Sequence, residues 1–274
     1  MNWEMKSLSH VATISSGQSA PQNESDFSNT GIPFVRAGHL LELSLGMPED
    51  SLMRVTDETV SNYKLKLFPA GTVLFAKSGM SCMKGIVYQL KNDACVVNHL
   101  ACIIPKKVDG RYLAYLFTVN RPNRLIRGEV YPSIRISDIA KMRIPLPPLN
   151  IQRQIASALD KARILIAARR EQIAVLDKLA KDLFINMFGD PVTNPQKWRF
   201  EKLEKYTIFL TSGLNFDAIK SLQFLLPPFE MQQDFENKKL EIISQKTRLM
   251  ASLAELETLY KSLAARAFSG ELFG

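Results

Sequence analysis

The chain has 274 residues, of which 46% are hydrophobic and 23% charged, with a net charge of +8 and a pI near 9.3. That balance fits a soluble protein of one or two domains. No run approaches the roughly 18 to 20 apolar residues needed to span a bilayer, so a cytoplasmic setting without a membrane partner is expected. Met1–Lys6 is followed by no apolar core of the kind a secretory signal requires. Cys82, Cys95 and Cys102 form an odd, scattered set without zinc-type spacing and read as reduced thiols. The basic excess is met equally by a polyanionic partner and by a solubilising surface. Between Arg111 and Arg143 the basic residues Arg121, Arg124, Arg127, Arg135 and Lys141 join them against Glu129 and Asp138.

Residues 1–146 read as a mixed α/β region of short strands. Turn residues recur at Ser16-Gly17, Asn29-Thr30-Gly31, Gly38, Pro48, Pro69-Ala70-Gly71, Ser78-Gly79, Asn92-Asp93 and Asp109-Gly110. Between them Ile32–Ala37, Thr72–Ala76, Gly85–Leu90 and Cys95–Ile104 have β-rich composition. Arg111–Arg127 is more helical, with Leu113, Leu116, Phe117, Leu125 and Ile126 on one face.

Pro148 suits the first position of a long helix, where its missing N–H costs nothing. Apolar or small residues follow at Ile151, Ile155, Leu159, Ala162, Ile166, Ile173, Leu176, Leu183 and Met187, with Arg169 and Ala180 at the two intervening positions. Steps of three and four over this length predict a coiled-coil seam, and forty helical residues would span roughly 60 Å. Gly189-Asp190-Pro191 stops the helix. A second seam runs through Met231, Phe235, Ile242, Leu249, Leu253, Leu256, Tyr260, Leu263 and Ala267, interrupted by Lys239 and Lys246. The segment 190–226 is too short to return the chain to its starting end, which predicts antiparallel helices. Tyr206–Leu210 and Phe224–Leu226 read as two strands, pairing with each other or with another chain.

The helices belong to an internal repeat. Leu146-Pro147-Pro148-Leu149-Asn150-Ile151-Gln152 returns 80 positions later as Leu226-Pro227-Pro228-Phe229-Glu230-Met231-Gln232, and the register holds through Phe188 and Phe268. Asp138–Leu146 matches Ala218–Leu226, and Trp3–Leu8 is echoed by Trp198–Leu203. What differs is the interior: about 120 residues separate Gly17 from Asp138, whereas four separate Gly213 from Ala218. The second copy reads as one whose interior has been removed.

Catalytic patterns are absent. There is no Walker loop, dinucleotide loop, Asn-Pro-Pro-aromatic methylase motif or His-Glu-x-x-His, and no cofactor or metal site is expected. His10, His39 and His99 are far apart and read as surface or hydrogen-bonded residues rather than catalysts, and Glu4-Met5-Lys6 reads as a chance nuclease-like triplet. Lys77–Gly85 combines basic, hydroxyl and glycine residues suited to phosphate contact, or is an ordinary flexible hairpin. Tyr131-Pro132-Ser133-Ile134-Arg135 is a similar basic turn, and Arg36 and His39 are placed either to reach base edges or to serve structure.

Taken in order, Gly31–Arg36, Ala70–Gly79, Asn98-His99-Leu100, Pro132-Ser133-Ile134 and Ile144–Leu149 with Gln152 and Ile155 resemble the specificity subunit of type I restriction–modification systems. The resemblance covers essentially the whole chain. It implies an α+β protein: a mixed α/β target-recognition domain (1–146) followed by two long helices (147–189 and 227–270) in an antiparallel coiled coil, with 190–226 the remnant of a second recognition domain. It further implies a non-catalytic subunit that binds double-stranded DNA. A methyltransferase subunit using S-adenosylmethionine and a separate restriction subunit would supply the chemistry. The site expected on this reading comprises Arg36, His39, Lys77, Ser78, Gly79, Ser81, Lys84, Tyr131, Ser133 and Arg135. The helix interface would use Ile151, Ile155, Leu159, Ile166, Ile173, Leu176 and Leu183 against Leu249, Leu253, Leu256, Tyr260 and Leu263. With one recognition domain, a homodimer would read an inverted, palindromic bipartite site. The competing reading is a truncated module that docks methyltransferase or full-length specificity subunits without reading DNA.

Overall fold

In the computed structural model, which describes residues 3–128, 130–206 and 222–272, the chain divides into two compact units. The first comprises Met1–Ala162 and Tyr260–Gly274, the second Arg163–Leu259.

The first unit contains strands β1 (Met5–Ser7), β2 (Ala12–Ser16), β3 (Ile32–Val35), β4 (Arg54–Val55), β5 (Leu67–Phe68), β6 (Val73–Ala76), β7 (Val87–Gln89), β8 (Ala94–Val96), β9 (Leu100–Pro105) and β10 (Arg143–Pro145). Its short helices are α1 (Leu8–Val11), α2 (Leu40–Ser44), α3 (Asp57–Asn62), α4 (Gly110–Val119) and α5 (Ile136–Lys141). The long helices are α6 (Leu149–Phe188) and α7 (Phe229–Ser269). The second unit adds the strands β11 (Arg199–Lys202) and β12 (Gln223–Leu226).

Two four-stranded sheets, ordered β2-β9-β6-β7 and β4-β3-β8-β5, form the body of the first unit. The first of these is apolar on both faces. Val73 and Phe75 of β6, with Ala101 and Ile103 of β9, pack on Leu8, Tyr112, Leu116, Phe117 and Ile139 from the helices. The alternate residues Leu74, Ala76, Leu100 and Cys102 pack on Phe34, Val35, Phe68, Cys95 and Val96 of the other sheet. Successive side chains of a strand point to opposite faces, so a strand covered on both sides needs an unbroken apolar run. That is the composition of Val73–Ala76 and Leu100–Ile103.

The expected Cys95–Ile104 strand is in fact two. Its first part, β8, runs parallel to β3 in one sheet, whereas β9 lies antiparallel to β6 and β2 in the other. A turn at Val97–His99 makes the switch, closed by Leu100 N donating to Val97 O at 3.1 Å and by Asn98 N donating to Gln18 O at 2.8 Å. Gly17 sits against this switch, where a Cβ would lie 1.8 Å from Val96 O. The helical expectation for Arg111–Arg127 resolves into α4, capped by the Asp109 carboxylate accepting from Arg111 N and Tyr112 N, and a 3-10 turn over Pro122–Leu125.

The repeat is reproduced hydrogen bond by hydrogen bond. Met5 pairs with Pro145 across β1 and β10, and the matching Phe200 pairs with Leu225 across β11 and β12. Leu8 N donates to Met142 O at 2.8 Å, and Leu203 N to Leu222 O at 3.0 Å. Gln152 Nε2 donates to Pro147 O at 2.7 Å, and Gln232 Nε2 to Pro227 O at 2.8 Å. Phe224–Leu226 pairs with β11, whereas all of Tyr206–Leu210 except Tyr206 lies outside the described residues.

Ile151, Ile155, Leu159, Tyr260 and Leu263 belong to the helix-side core of the first unit. In the second, Ile166 is buried and Ile173, Leu176, Leu183, Leu249, Leu253 and Leu256 are half-buried, while Val175, Leu179 and Met250 beside them are exposed. The two long helices pack closely there. Arg170 bonds Glu257 at 2.6 Å, Lys246 pairs with Asp177, and Phe235 meets Phe184 and Phe188 at ring separations of 5.7 and 5.2 Å.

Glu49 is 2% exposed and accepts from Tyr88 Oη, Lys91 N, Asn92 N and Asn92 Nδ2 at 2.8–3.1 Å. Glu49→Ala strands these donors and should cost roughly 2–4 kcal/mol, read as a lower urea midpoint. Burial pushes the Cys102 thiol from its ordinary 9.0 up to about 12. The folded state therefore holds a proton that the unfolded chain releases, so this contribution is full below about pH 9 and is lost as pH rises toward 12. The fall in urea midpoint above pH 9 should be shallower in Cys102→Ala.

Candidate nucleic-acid interface

The sheet registers bring three distant segments to one edge. Ala76, the last residue of β6, pairs with Leu100, the first of β9, so Lys77 and His99 leave the sheet side by side. Lys77 N donates to His99 O at 2.9 Å, and Ser78 Oγ lies 2.8 Å from His99 Nδ1. Ser78 also forms an antiparallel bridge with Ser133. Ile134 N donates to Lys77 O at 2.7 Å and Gly79 N to Pro132 O at 3.0 Å, so Lys77–Lys84 and Tyr131–Arg135 are one loop cluster. Ser133 is tied in turn to Arg127 by reciprocal backbone bonds of 2.9 and 3.0 Å.

Gly79 adopts φ +73°, ψ −179°, a conformation essentially closed to residues with a Cβ. Beyond it Met80–Lys84 forms a 3-10 turn anchored by Cys82, whose buried thiol donates to Pro132 O at 3.4 Å and is pushed to higher pKa by burial. The anchor leaves Gly79, Met80, Met83 and Lys84 exposed, with Lys77, Ser78 and Ser81 half-buried. On the other strand of the cluster Ser133 and Arg135 are exposed, and Tyr131 is 85% exposed. The surface thus offers ammonium groups, hydroxyls, a free-standing aromatic ring and two exposed methionines.

Arg36 reaches the same edge by a different route. Phe34 and Val35 of β3 pair in parallel with Cys95 and Val96 of β8, so Arg36 emerges where β8 gives way to the Val97–His99 switch. Its guanidinium lies 4.8 Å from the Phe27 ring centroid. Arg36 and His99 line a cleft of about 570 Å³ together with Ser19, Gln22, Asn23 and Asn98. Arginine and side-chain amides are the groups that make bidentate bonds to purine edges. His39 turns toward the backbone instead: Arg36 N donates to its Nδ1 at 3.2 Å. Burial, then the nearby Arg36 charge, lower its pKa, and Glu42 opposes them.

His99, which sequence reasoning set aside, is the residue shared by the Ser78 contact and the Arg36 cleft. Asn98, noted in the sequence only as part of the resemblance, and the Ser19–Asn23 segment were not among the expected site residues. The signal available was the polar pair Asn98-His99 inside the apolar stretch Cys95–Ile104. Part of the basic run is spent internally: Arg111 pairs with Asp160 at 3.0 Å and Arg127 with Asp138 at 2.9 Å. Among the described residues no three His, Cys, Asp or Glu side chains converge as a metal site, and no helix is long and apolar enough to cross a membrane.

Residues 1–177 match the family described as the type I restriction modification DNA specificity domain. The chain belongs to that family. Among curated relatives, the type I restriction enzyme MjaIX specificity subunit of Methanocaldococcus jannaschii is 31% identical over 193 residues, covering 69% of this chain and 44% of the relative. The putative type I restriction enzyme MjaX specificity subunit of the same organism is 27% identical over 203 residues, with coverages of 68% and 45%. The chain thus spans less than half the length of these relatives. The crystal structure of a type I restriction–modification S subunit from M. genitalium shares the fold, with a TM-score of 0.62 over 98% of this chain and 96% of that one at 10% identity.

The specificity-domain loop depends on the Gly79 conformation, so Gly79→Ala should cost about 1–3 kcal/mol. Because Ile134 N–H and Gly79 N–H make the backbone bonds that join the two loops, faster hydrogen exchange at Ile134 in this variant is the expected readout.

Proposed function

We propose that the chain is the non-catalytic, sequence-specific DNA-recognition subunit of a type I restriction–modification enzyme. The observation that carries this reading is the convergence of Lys77–Lys84, Tyr131–Arg135 and the Arg36–His99 cleft on one edge of a rigid double-sheet body. Lys77, Lys84 and Arg135 would neutralise phosphates, with Ser78, Gly79, Ser81 and Ser133 supplying hydrogen bonds to the backbone of the duplex. Arg36 would read base edges, with His39 holding its backbone and Tyr131 packing on sugar or base. On this reading residues 1–146 are the target-recognition domain and 190–226 the remnant of a second.

The long helices serve as the spacer. Partner numbers along the second unit fall from Glu257 to Lys246 to Phe235 as those on α6 rise from Arg170 to Asp177 to Phe184, which supports an antiparallel coiled coil. Its seam would run through Ile166, Ile173, Leu176 and Leu183 against Leu249, Leu253 and Leu256, continuing to Ile151, Ile155, Leu159, Tyr260 and Leu263. The half-buried Lys246 reaches from that seam to Asp177 and keeps its charge paired. The spacer would present methyltransferase subunits, and through them the restriction subunit, to a bipartite target. A chain with one recognition domain reads both halves by forming a two-fold homodimer, which makes the target palindromic.

The test is methylation mapping in a host lacking other methylases, with this chain co-expressed with its methyltransferase subunit. A methylated palindromic bipartite motif is the expected result, and Arg36→Ala should relax or abolish it. Methylation of an asymmetric site would overturn the symmetric dimer. A stable complex that methylates nothing would overturn DNA recognition itself.

A further inference from the structure

The repeat builds the same platform twice, and among the described residues only the first copy is covered. In the first unit Gln152 is buried, and its Oε1 accepts from Asp109 N at 2.8 Å. Asp109 is the N-cap of α4, and Tyr112 in the first turn donates its hydroxyl to Pro145 O at 2.8 Å and sets its ring 5.3 Å from that of Phe268. Ile155 and Ala156 beneath are fully buried. A helix N-terminus carrying a tyrosine thus plugs the platform made by β10, the start of α6 and Phe268.

In the second unit the corresponding residues are Leu225, Gln232, Phe235, Glu236 and Phe188. Gln232 keeps its bond to Pro227 O, yet among the described residues no N–H meets its Oε1. Phe235 and Gln232 are only half-buried and Glu236 is exposed. Over them opens an apolar cleft of about 760 Å³, also lined by Trp198 and Phe224. Among the described residues lining it, Glu236 is the one that is charged. A lone carboxylate beside an amide acceptor complements the partial positive charge and free N–H groups of a helix N-terminus.

We propose that this cleft is a docking site for the N-terminal turn of an amphipathic helix on a partner protein, with an aromatic hydroxyl residue three positions after the helix N-cap. The aromatic ring fills the space beside Phe188 and Phe235, its hydroxyl donates to Leu225 O, and a backbone N–H at the helix start donates to Gln232 Oε1. The inference stands on the two copies of the platform and is independent of DNA recognition.

The test uses the full chain carrying Trp3→Phe, which leaves Trp198 as the fluorescent reporter, and a synthetic peptide of residues 107–120 of this chain. A saturable blue shift of Trp198 emission is expected. Replacing the peptide's tyrosine at position 112 by phenylalanine should weaken binding roughly fivefold, as loss of one buried hydrogen bond does, without altering the protein. Gln232→Leu in the protein should weaken it similarly, with circular dichroism reporting its fold. No shift up to the peptide's solubility limit would overturn the proposal, as would binding indifferent to the tyrosine hydroxyl. A blue shift that grows with protein concentration in the absence of peptide would assign the cleft to a second copy of this chain and overturn a separate partner.

Discussion

The constraint on which the first unit depends is a sheet with no free face. β6 and β9 give alternate side chains to a helix layer and to a second sheet, and every residue of Val73–Ala76 is buried. Such strands cannot slip by one residue, because a slip would exchange the two faces and misfit both cores at once. Their register is consequently rigid, and whatever leaves their ends is held in place. Lys77 and His99 are adjacent for that reason alone.

The topology extends this rigidity to the rest of the site. Because β8 and β9 lie in different sheets, the Val97–His99 switch ties the ends of both together. Arg36 arrives on one sheet and Lys77 on the other, yet both meet at the switch. The Ser78–Ser133 bridge then adds a third segment from more than fifty residues downstream. A surface assembled this way has a fixed frame and exposed tips: Lys84, Tyr131 and Arg135 are all exposed. Contacts can change at the tips without disturbing the core that aims them.

The repeat shows how one piece of local chemistry serves two environments. The Leu-Pro-Pro start, the glutamine that bonds back to the first proline, and the two-stranded pairing are the same in both copies. They need only residues within the repeat, so they form whatever the length of the interior between them. What covers them comes from outside the repeat: Asp109 and Tyr112 in the first copy, nothing described in the second. Conversely Glu236, where the first copy has the buried Ala156, would be costly under a dry apolar cover and tolerable at the edge of an accessible cleft.

The amino-acid sequence by itself determined the long helices, the repeat and the apolar strands, because periodicity, proline placement and strand composition are local signals. Leu149–Phe188 and the Val73–Ala76 strand were legible for that reason. The same sequence did not reveal that Cys95–Ile104 is two strands in two sheets. Both parts are buried on both faces, so the composition runs on through the break, with Asn98-His99 the one mark of it. Nor did it join Lys77, Ser133 and Arg36, or assign His99 a place among them. Those neighbours are far apart in the chain and meet only through backbone pairing and sheet order, which side-chain patterning does not encode. The tertiary structure decided the site; the sequence had already supplied its parts.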